Sequence, residues 1–533
     1  MKKKTFLILS AVIFLLGAVA LKLYIVYFGY INYHYLVPPG YDSIPHYRMV
    51  QDFARLGWKS FIGYPKLFHL IVYYLSHIFH LDYFYILTYW TPILIVLPSL
   101  AIFYLLKQLF NIRTAAIASL LFLFTSNYPL YGFVDGNYPN MLGYGFFGVL
   151  CISFIIKYLQ SKKWINLIYS VFFYLLTGLT HHLSFIELTA ILLIFIVVVL
   201  VLFFFSDQRK TLKIKHFIGG FIVFICIGTI IFFTYKLYGK MFLNFTNGLF
   251  DNNPALKDLY LNQAVEYYNY SKIMGPIIWY GGLLGFLYLV IAFFSEEERD
   301  IKKILPLIWV LLIYILSRMS SSAIPERFAR ELSIPLLLCF AYLIEYIYKN
   351  FDLNNISTTL SYGFIAYIII INSSLFNPTL LDSLPNSFSN LVWFNEMDQD
   401  KIDFIVKNIN SKDPVFINPY ANPYMELKSK QRFTDFSLNN NNLKTIDDLK
   451  KNLHDNSSNQ KEYDSMIQSL KKSYLGKTML ISAKPPGNTD GIVYPIYKYF
   501  DEYNQSMRDI AKGQKVLKQF SDGSIVVQIV ENK

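Results

Sequence analysis

Apolar residues run through the first 375 positions in long blocks, separated by short basic or polar stretches. Most blocks are about 17–22 residues long, which suits a helix that crosses a hydrocarbon core about 30 Å thick. The pattern therefore predicts an α-helical multi-pass membrane protein. The blocks lie at approximately 5–28, 65–81, 83–106, 115–131, 141–158, 164–180, 184–205, 217–234, 276–294, 304–318, 332–348 and 358–374.

The segment 65–81 decides how the chain is threaded, because it is short and contains one lysine and three histidines. Counting it as a span gives twelve crossings, and leaving it out gives eleven. With eleven crossings and the N-terminus inside, most Lys and Arg residues of the short loops lie on the cytoplasmic side, as the positive-inside rule requires. We therefore predict about eleven spans, an inside N-terminus, an outside C-terminus and a surface helix at 65–81.

The last part of the chain has a different composition, rich in Asn, Lys, Ser and Asp. Its patterns predict an amphipathic helix near 400–406 and strands near 414–417 and 524–529. We therefore predict two domains. The first is a transmembrane domain over 1–375, and the second is a small, soluble, extracytoplasmic α/β domain over 376–533.

Composition and charge support a membrane protein and argue against a nucleic-acid partner. Hydrophobic residues make up 54% of the chain and charged residues 16%, whereas soluble domains average about 25% charged residues. Much of the net charge of +12 lies in the short connections between apolar blocks. The three Cys residues give neither a disulfide framework nor a metal-ligand spacing. We expect a plasma-membrane protein in contact with lipids.

The predicted threading leaves a long outer loop at about 29–82, which carries the motif Pro38–His46. Pro and Gly fix a turn there, and Asp42 and His46 are spaced to share one face of a helix that starts at this point. Alternatively, Asp42 or the following Ser caps a surface helix. That alternative explains Asp42 but not His46.

The next outer loop carries Asp135 in the motif Phe133–Asn140. This carboxylate could be solvated, could form a turn with Gly136, or could work together with Asp42 on the same side of the membrane. An outer junction between two spans carries His181 and His182. Histidines within a membrane-embedded stretch need partners and mark a functional candidate, although interfacial solvated rings are the alternative.

Three arginines, Arg318, Arg327 and Arg330, lie at a predicted outer membrane edge. Their planar guanidinium groups match phosphate oxygens, whereas lipid anchoring and local Glu–Arg pairing are the alternatives. A second long outer loop at about 235–275 adds Glu266 and many Tyr residues, and could cover a site as a lid. The chain has no G-x-x-x-x-G-K-[ST] phosphate-loop motif, so nothing indicates a P-loop nucleotide-driven machine.

At these residues the chain resembles the GT-C superfamily of membrane glycosyltransferases, which includes protein mannosyltransferases, oligosaccharyltransferase catalytic subunits and aminoarabinose transferases. Asp42 with His46 resembles the acidic motif of the family's first loop, and Asp135 resembles the acid of its second loop. Gly136–Asn140 and Leu179–His182 resemble segments of uncharacterised archaeal and bacterial members. The resemblance covers most of the first 375 residues.

The chain departs from the family pattern in two ways. It has Asp42-Ser43-Ile44 in place of an Asp-x-Asp pair, and it lacks a Trp-Trp-Asp-type motif. The second departure makes the transfer of a whole oligosaccharide to Asn less expected.

The resemblance implies an inverting glycosyltransferase that takes a sugar from a polyprenyl-phosphate-linked donor. The acceptor would be a protein, lipid or glycan at the outer face. Asp42 would be the catalytic base and Asp135 would support it, and a divalent metal, Mg or Mn, could be held by Asp42, His46 and Asp135. The substrate-binding residues would be His46, His181, His182, Arg318, Arg327, Arg330 and Glu266.

Two other classes share these features. A transporter or flippase for a lipid-linked saccharide predicts polar residues near mid-membrane and broken helices, whereas the titratable residues here gather at predicted outer ends. A catalytically inactive scaffold, whose tail domain binds partners, is the third class.

Overall fold

The computed structural model describes residues 2–32, 43–57, 59, 64–134, 136–205, 265–295, 301–318, 325–350, 396–410, 412–418, 433–435, 457–482 and 496–530. Contacts divide the chain into two compact units. The first is Met1–Phe28 with Pro45–Asp382, and the second is Gly29–Ile44 with Ser383–Lys533. The domain boundary predicted at 375/376 lies outside the described residues and stays a prediction.

The described residues of the first unit form helices joined by short connections. Helices α1 to α11 are Lys2–Asn32, Ser43–Leu56, Leu67–Phe79, Tyr83–Trp90, Leu97–Leu109, Ile112–Thr125, Tyr128–Val134, Tyr138–Asn140, Val149–Ser161, Trp164–Thr180 and His182–Phe205. Helices α12 to α16 are Tyr267–Met274, Pro276–Ser295, Ile301–Arg318, Pro325–Glu331 and Ser333–Asn350. The apolar blocks predicted at 217–234 and 358–374 lie outside the described residues.

Polar caps and helix breaks fix where these helices begin and end. Asp82 accepts a hydrogen bond from the backbone N–H of Phe84 and so caps α4, and Asn111 caps α6 in the same way. The block predicted at 83–106 is not one helix, because the 3₁₀ segment Thr91–Ile95 lies between α4 and α5.

Close packing between α13 and α16 depends on small residues. A Cβ added at Gly282 would lie 2.6 Å from Leu336 Cβ, and one at Gly285 would collide with the backbone of Cys339. Helices in lipid gain stability mainly from such close approach, since no hydrophobic force drives them together. The contact between α13 and α16 is therefore typical of helices that pack within a membrane.

By length and composition, five continuous helical stretches of the described residues, some of them joining consecutive helices, can cross a membrane: Tyr83–Leu109, Tyr138–Ser161, His182–Val199, Pro276–Ser295 and Arg327–Asn350. Shorter apolar helices are Ala11–Tyr27, Leu67–Phe79, Ile112–Thr125 and Trp164–Thr180. The predicted α-helical multi-pass class agrees with these helices. The count of about eleven spans, the orientation and the surface placement of α3 stay predictions.

The second unit contains a five-stranded sheet of strand order β2-β1-β3-β5-β4. The strands β1 to β5 are Val415–Ile417, Phe433–Asp435, Thr478–Ile481, Lys515–Gln519 and Ile525–Gln528. Strand β1 runs parallel to β2 and β3, whereas β5 pairs antiparallel with β3 and β4. The described helices of this unit are α17 (Glu396–Asn408), α18 (Ser457–Ser473) and α19 (Ile496–Ala511).

One buried lysine ties α17 to the turn before β5. Lys401 is 4% exposed, and its Nζ lies 2.9 Å from an oxygen of Asp398 and 2.6 Å from an oxygen of Asp522. Burial alone would lower the pKa of Lys401, but the two carboxylates outweigh burial and raise it. Lys401 therefore stays charged and paired on both sides.

Candidate active site

A hydrogen bond joins the first-loop motif to the second-loop motif. His46, in the first turn of α2, has Nε2 3.0 Å from the carbonyl oxygen of Gly136, which lies between α7 and α8. A carbonyl oxygen can only accept, so Nε2 of His46 donates. Gly136 has a φ of 77°, a conformation that favours glycine, so this turn presents its carbonyl to the histidine.

The two predicted catalytic acids, Asp42 and Asp135, lie outside the described residues. Asp42 is four positions before His46 in the sequence, and Asp135 directly precedes Gly136. Their roles stay predictions.

The other ring nitrogen of His46 contacts a second histidine that the sequence analysis did not select for the site. Nδ1 of His46 lies 3.0 Å from Nε2 of His69, on the buried face of α3. The pKa of His46 is lowered to about 4, mainly by burial; the bond to Gly136 opposes this shift and the positive charge of Arg327 adds to it. His46 is therefore neutral near pH 7 and carries its only proton on Nε2.

Aromatic rings enclose this histidine pair. The ring of Phe68 packs edge-on against His46 at a centroid distance of 5.5 Å, and the ring of Tyr138 lies 5.8 Å away. Phe68 and Tyr138 are fully buried. The apolar walls exclude water and so strengthen the hydrogen bonds inside.

Two further histidines, both predicted for the site, border the first pair through one tyrosine. The ring of Tyr64 contacts the rings of His69, His181 and His182 at centroid distances of 5.8, 6.4 and 5.4 Å. We call His46, His69, His181 and His182 the histidine cluster. The structure thus brings together residues from α2, α3 and the α10–α11 junction.

A chain of hydrogen bonds runs from His181 into the helical bundle. Nδ1 of His181 accepts from the backbone N–H of Ser184 at 3.3 Å and lies 2.9 Å from its hydroxyl oxygen. Asn140 in turn donates to that hydroxyl oxygen at 3.1 Å and to the carboxyl group of Glu331 at 2.7 Å. Asn140 therefore connects the histidine cluster to the helix that carries the arginines.

A π-helical segment, Met141–Gly148, follows Asn140 directly. Within it, a Cβ added at Gly143 would lie 3.3 Å from Cβ of His181 and 3.4 Å from Ser184. Such wide turns occur often at functional sites. Here the segment brings the backbone close to the α10–α11 junction and so fixes the position of His181.

The buried end of this chain is a pair of glutamates. The carboxyl group of Glu187 is within hydrogen-bonding reach of that of Glu331, and the two residues are 1% and 0% exposed. Sequence reasoning missed Glu187, although a lone acid in an otherwise apolar block is a recognisable signal. It had interpreted Glu331 only as a local partner of arginine.

Two of the three predicted arginines lie at this site. The charge of Arg327 acts on His46, His181, His182, Glu187 and Glu331. The neighbouring Arg330 is buried, and its charge acts on Glu331. Arg327 is therefore a positive charge that these groups share.

The other two predicted binding residues, Arg318 and Glu266, lie at the start of α12. Arg318 donates to the backbone carbonyl of Val265, and its guanidinium group lies 4.4 Å from the ring centroid of Tyr267. Glu266 lies between these two residues, exposed, at the N-terminus of α12. Arg318 thus anchors the start of α12, and a role for either residue in substrate binding stays a prediction.

The predicted metal site can be compared with the structure only at its described residues. Among the described residues, no group of three or more His, Cys, Asp or Glu residues is placed to hold a metal ion. His46 has no lone pair left for a metal, because Nε2 carries the proton and Nδ1 lies against the donor of His69. The other predicted Mg or Mn ligands, Asp42 and Asp135, lie outside the described residues. Their role as metal ligands stays a prediction.

No protein-family model matches the sequence, and no curated protein matches it significantly. Solved structures do match. The archaeal oligosaccharyltransferase AglB from Archaeoglobus fulgidus, in complex with an inhibitory peptide and a dolichol-phosphate, is 12% identical with a TM-score of 0.58, and the match covers 99% of this chain and 75% of that one. ArnT from Cupriavidus metallidurans bound to undecaprenyl phosphate is 11% identical with a TM-score of 0.53, covering 99% and 100%.

A further structure of the Archaeoglobus fulgidus oligosaccharyltransferase, in complex with Zn and sulfate, matches 79% of this chain and 62% of that one at 12% identity, with a TM-score of 0.53. AglB and ArnT are both GT-C glycosyltransferases. The resemblance predicted from the loop motifs is therefore confirmed at the level of the fold. This chain has the fold of the GT-C membrane glycosyltransferases.

Proposed function

We propose that this protein transfers a sugar from a polyprenyl-phosphate-linked donor to a protein or glycan acceptor at the outer face of the membrane. The observation that carries the proposal is the histidine cluster, which forms where the two loop motifs meet and on which the charge of Arg327 acts. Ionisable groups among membrane helices are costly and mark functional sites. The structures of AglB with a dolichol-phosphate and of ArnT with undecaprenyl phosphate support a lipid-phosphate donor.

In this proposal Arg327 holds the phosphate of the donor. A guanidinium group in a water-poor site stabilises the charge that develops on the departing phosphate. Arg330 lies one helical turn further along the chain and is buried. Arg330 adds positive charge. The carboxyl group of Glu331 accepts a hydrogen bond from Asn140 and so connects α15 to α8.

The proposed reaction is a single displacement. Asp42 takes the proton of the acceptor hydroxyl as the oxygen attacks the anomeric carbon of the sugar. The bond between that carbon and the phosphate oxygen breaks, and the polyprenyl phosphate leaves with the electron pair. Attack from the face opposite the leaving group inverts the anomeric centre. A divalent metal held by Asp42 and Asp135 would help to neutralise the phosphate.

Transport of a lipid-linked saccharide without bond chemistry is the second candidate. The π-helical segment Met141–Gly148 and the buried Glu187 are of the kind that a transporter would use. However, Glu187 follows the start of α11 by five residues, which is about 8 Å along the helix. The polar groups therefore stay near the helix ends, which favours the enzyme.

The test is turnover by purified full-length protein with a panel of undecaprenyl-phosphate sugars, measured as release of undecaprenyl phosphate. We expect Asp42→Asn to lower the rate by about 10²–10⁴-fold. Asp52→Asn is the matched control, because Asp52 is a partly exposed acid of α2 that pairs with Arg55. Unchanged turnover in Asp42→Asn removes Asp42 from the reaction. Movement of the intact donor across proteoliposomes, without release of undecaprenyl phosphate, would establish the transporter instead.

A further inference from the structure

His69 has one ring nitrogen that no described residue satisfies. The side chain is fully buried, and its Nδ1 has no hydrogen-bond partner among the residues that the structure describes. A polar atom removed from water without a partner is costly. Such an atom beside a cluster of ionisable groups needs an explanation in terms of what binds there.

The hydrogen bonds of His46 fix the protonation of this atom. The carbonyl oxygen of Gly136 accepts a hydrogen bond from Nε2 of His46. Neutral His46 therefore carries its proton on Nε2, and its Nδ1 can only accept. Its partner at 3.0 Å is Nε2 of His69, which must therefore donate. A neutral His69 has no second proton, and its Nδ1 is a bare lone pair.

The surroundings keep His69 neutral. Burial disfavours a charge on this ring, and the positive charge of Lys66 disfavours it further. A protonated ring would also leave an N–H at Nδ1 without an acceptor among the described residues. Nδ1 is consequently a hydrogen-bond acceptor that has no donor among the described residues.

The ligand that fits is a group that donates one hydrogen bond. The ring edge with Nδ1 is not the edge that faces His46, and the ring of Tyr64 joins His69 to His181 and His182. The described residues offer no set of three metal-ligating side chains there, which disfavours a metal. In a protein that handles saccharides, the matching donor is a hydroxyl group.

We propose that Nδ1 of His69 accepts a hydrogen bond from a hydroxyl group of the bound substrate, which makes His69 a specificity-determining residue of the site. This inference rests on the proposed function. The hydroxyl belongs either to the sugar of the donor or to the acceptor, and both present the same chemistry to the imidazole.

Two substitutions separate the two nitrogens of His69. In His69→Gln the amide nitrogen takes the place of Nε2 and can still donate to His46, but the Nδ1 acceptor is lost. In His69→Asn the amide oxygen takes the place of Nδ1, but the donor to His46 is lost. His77→Gln is the matched control, since His77 lies on the same helix and is exposed, with Nδ1 against the carbonyl oxygen of Tyr73.

The experiment measures kcat, KM for donor and acceptor, and Tm of the full chain, using the undecaprenyl-phosphate sugar that the wild type turns over. We expect His69→Gln to raise one KM about tenfold, the loss of one hydrogen bond, with an unchanged Tm. A raised donor KM assigns the hydroxyl to the sugar, and a raised acceptor KM assigns it to the acceptor. We expect His69→Asn to keep that KM closer to the wild-type value while it lowers Tm.

Unchanged KM values in His69→Gln, or a loss confined to kcat, overturn the inference while the proposed function stands, because the wild type still turns over. If the wild type releases no undecaprenyl phosphate from any sugar of the panel, the proposed function fails first. In that case the role of His69 is tested by binding. The affinities of wild type and His69→Gln for undecaprenyl-phosphate sugars are measured and compared with their affinities for undecaprenyl phosphate alone. Equal affinity of both proteins for every sugar then overturns the inference.

Discussion

The carboxyl groups of Glu187 and Glu331 lie within hydrogen-bonding reach of each other, although they come from helices far apart in the sequence. A hydrogen bond between two carboxyl groups needs a proton on one of them. Glu331 also accepts from Asn140 at 2.7 Å. The two glutamates are therefore unequal, because Glu331 has a fixed donor in Asn140, whereas neither oxygen of Glu187 has a donor among the described residues.

This inequality predicts different effects of the two amide substitutions. Glu187→Gln supplies a permanent donor to Glu331 and should leave the Tm nearly unchanged. Glu331→Gln puts an amide between Asn140 and Glu187 and should cost about 1–2 kcal/mol. Thermal unfolding of the detergent-solubilised protein measures both. Equal destabilisation by the two substitutions would contradict the arrangement.

Loss of the His46 side chain should be severe. His46→Ala leaves the carbonyl oxygen of Gly136 and the Nε2 donor of His69 without their partner, at about 1–3 kcal/mol for each buried group. Thermal unfolding against the exposed control His77→Ala measures the difference. If both variants unfold together with the wild type, His46 does not join the two loop motifs.

The low pKa of His46 gives the stability a defined pH dependence. The ordinary pKa of histidine is 6.5, and burial lowers that of His46 to about 4. Between these values the unfolded chain binds more protons than the folded one. The contribution is therefore fully present above pH 6.5 and is lost as the pH falls towards 4, on the order of 3 kcal/mol.

The check is Tm measured from pH 7 to pH 4 for the wild type and His46→Gln. Glutamine does not titrate, so the variant should lose less Tm on acidification than the wild type does. Parallel curves would show that His46 is protonated in the folded protein at a pH near its ordinary value.

Arg327 should matter more for the donor than for the fold. Arg327→Gln removes the charge that acts on the histidine cluster, and we expect kcat/KM for an undecaprenyl-phosphate sugar to fall by about 10–100-fold. Arg55→Gln is the control, since Arg55 is exposed on α2. An Arg327→Gln variant that is as active as Arg55→Gln would exclude Arg327 from phosphate binding.

The buried lysine of the second unit gives a prediction that is independent of catalysis. Hydrogen bonds and charge from Lys401, with the backbone N–H of Ser524, outweigh burial and lower the pKa of Asp522. Lys401→Met should leave Asp398 and Asp522 without their partner and cost about 3–5 kcal/mol in local stability. Hydrogen exchange over β4 and β5 in the full chain measures it, with the exposed Lys412→Met as control.

The pH window of this ion pair follows from the same shifts. Asp522 contributes stability above its ordinary pKa of 3.8, and the contribution is lost as the pH falls through its lower folded value. Lys401 contributes below 10.5, and its contribution is lost as the pH rises through its higher folded value. Exchange over β4 and β5 should therefore be slowest between these limits, and a flat profile would contradict it.

Hydrophobic patterning anticipated much of the helical unit. The helix expected at 164–180 is formed at Trp164–Thr180, and the block at 276–294 is formed at Pro276–Ser295. The 3₁₀ segment Thr91–Ile95 and the π-helical segment Met141–Gly148 were not predicted, because both lie inside apolar blocks whose composition does not change. Average hydropathy reports burial and not the hydrogen-bond register of the backbone.

The candidate site could be predicted only where a residue carried a local signal. Proline, glycine and paired histidines drew attention to His46, His181 and His182. His69 and Glu187 were passed over because their significance depends on partners that come close only in the folded chain. Their neighbours in the sequence are mainly apolar, so the sequence shows a lone polar residue at each position but not the partner that gives it a role.

The bond from His46 to Gly136 ends on a backbone carbonyl, a group that every amino acid possesses. Side chains around this turn can therefore diverge among relatives without breaking the anchor, provided that the positive φ at position 136 is kept. Motif searches depend on side-chain identity and do not register such an anchor. Weak sequence similarity across this loop is thus compatible with an unchanged junction between the two segments.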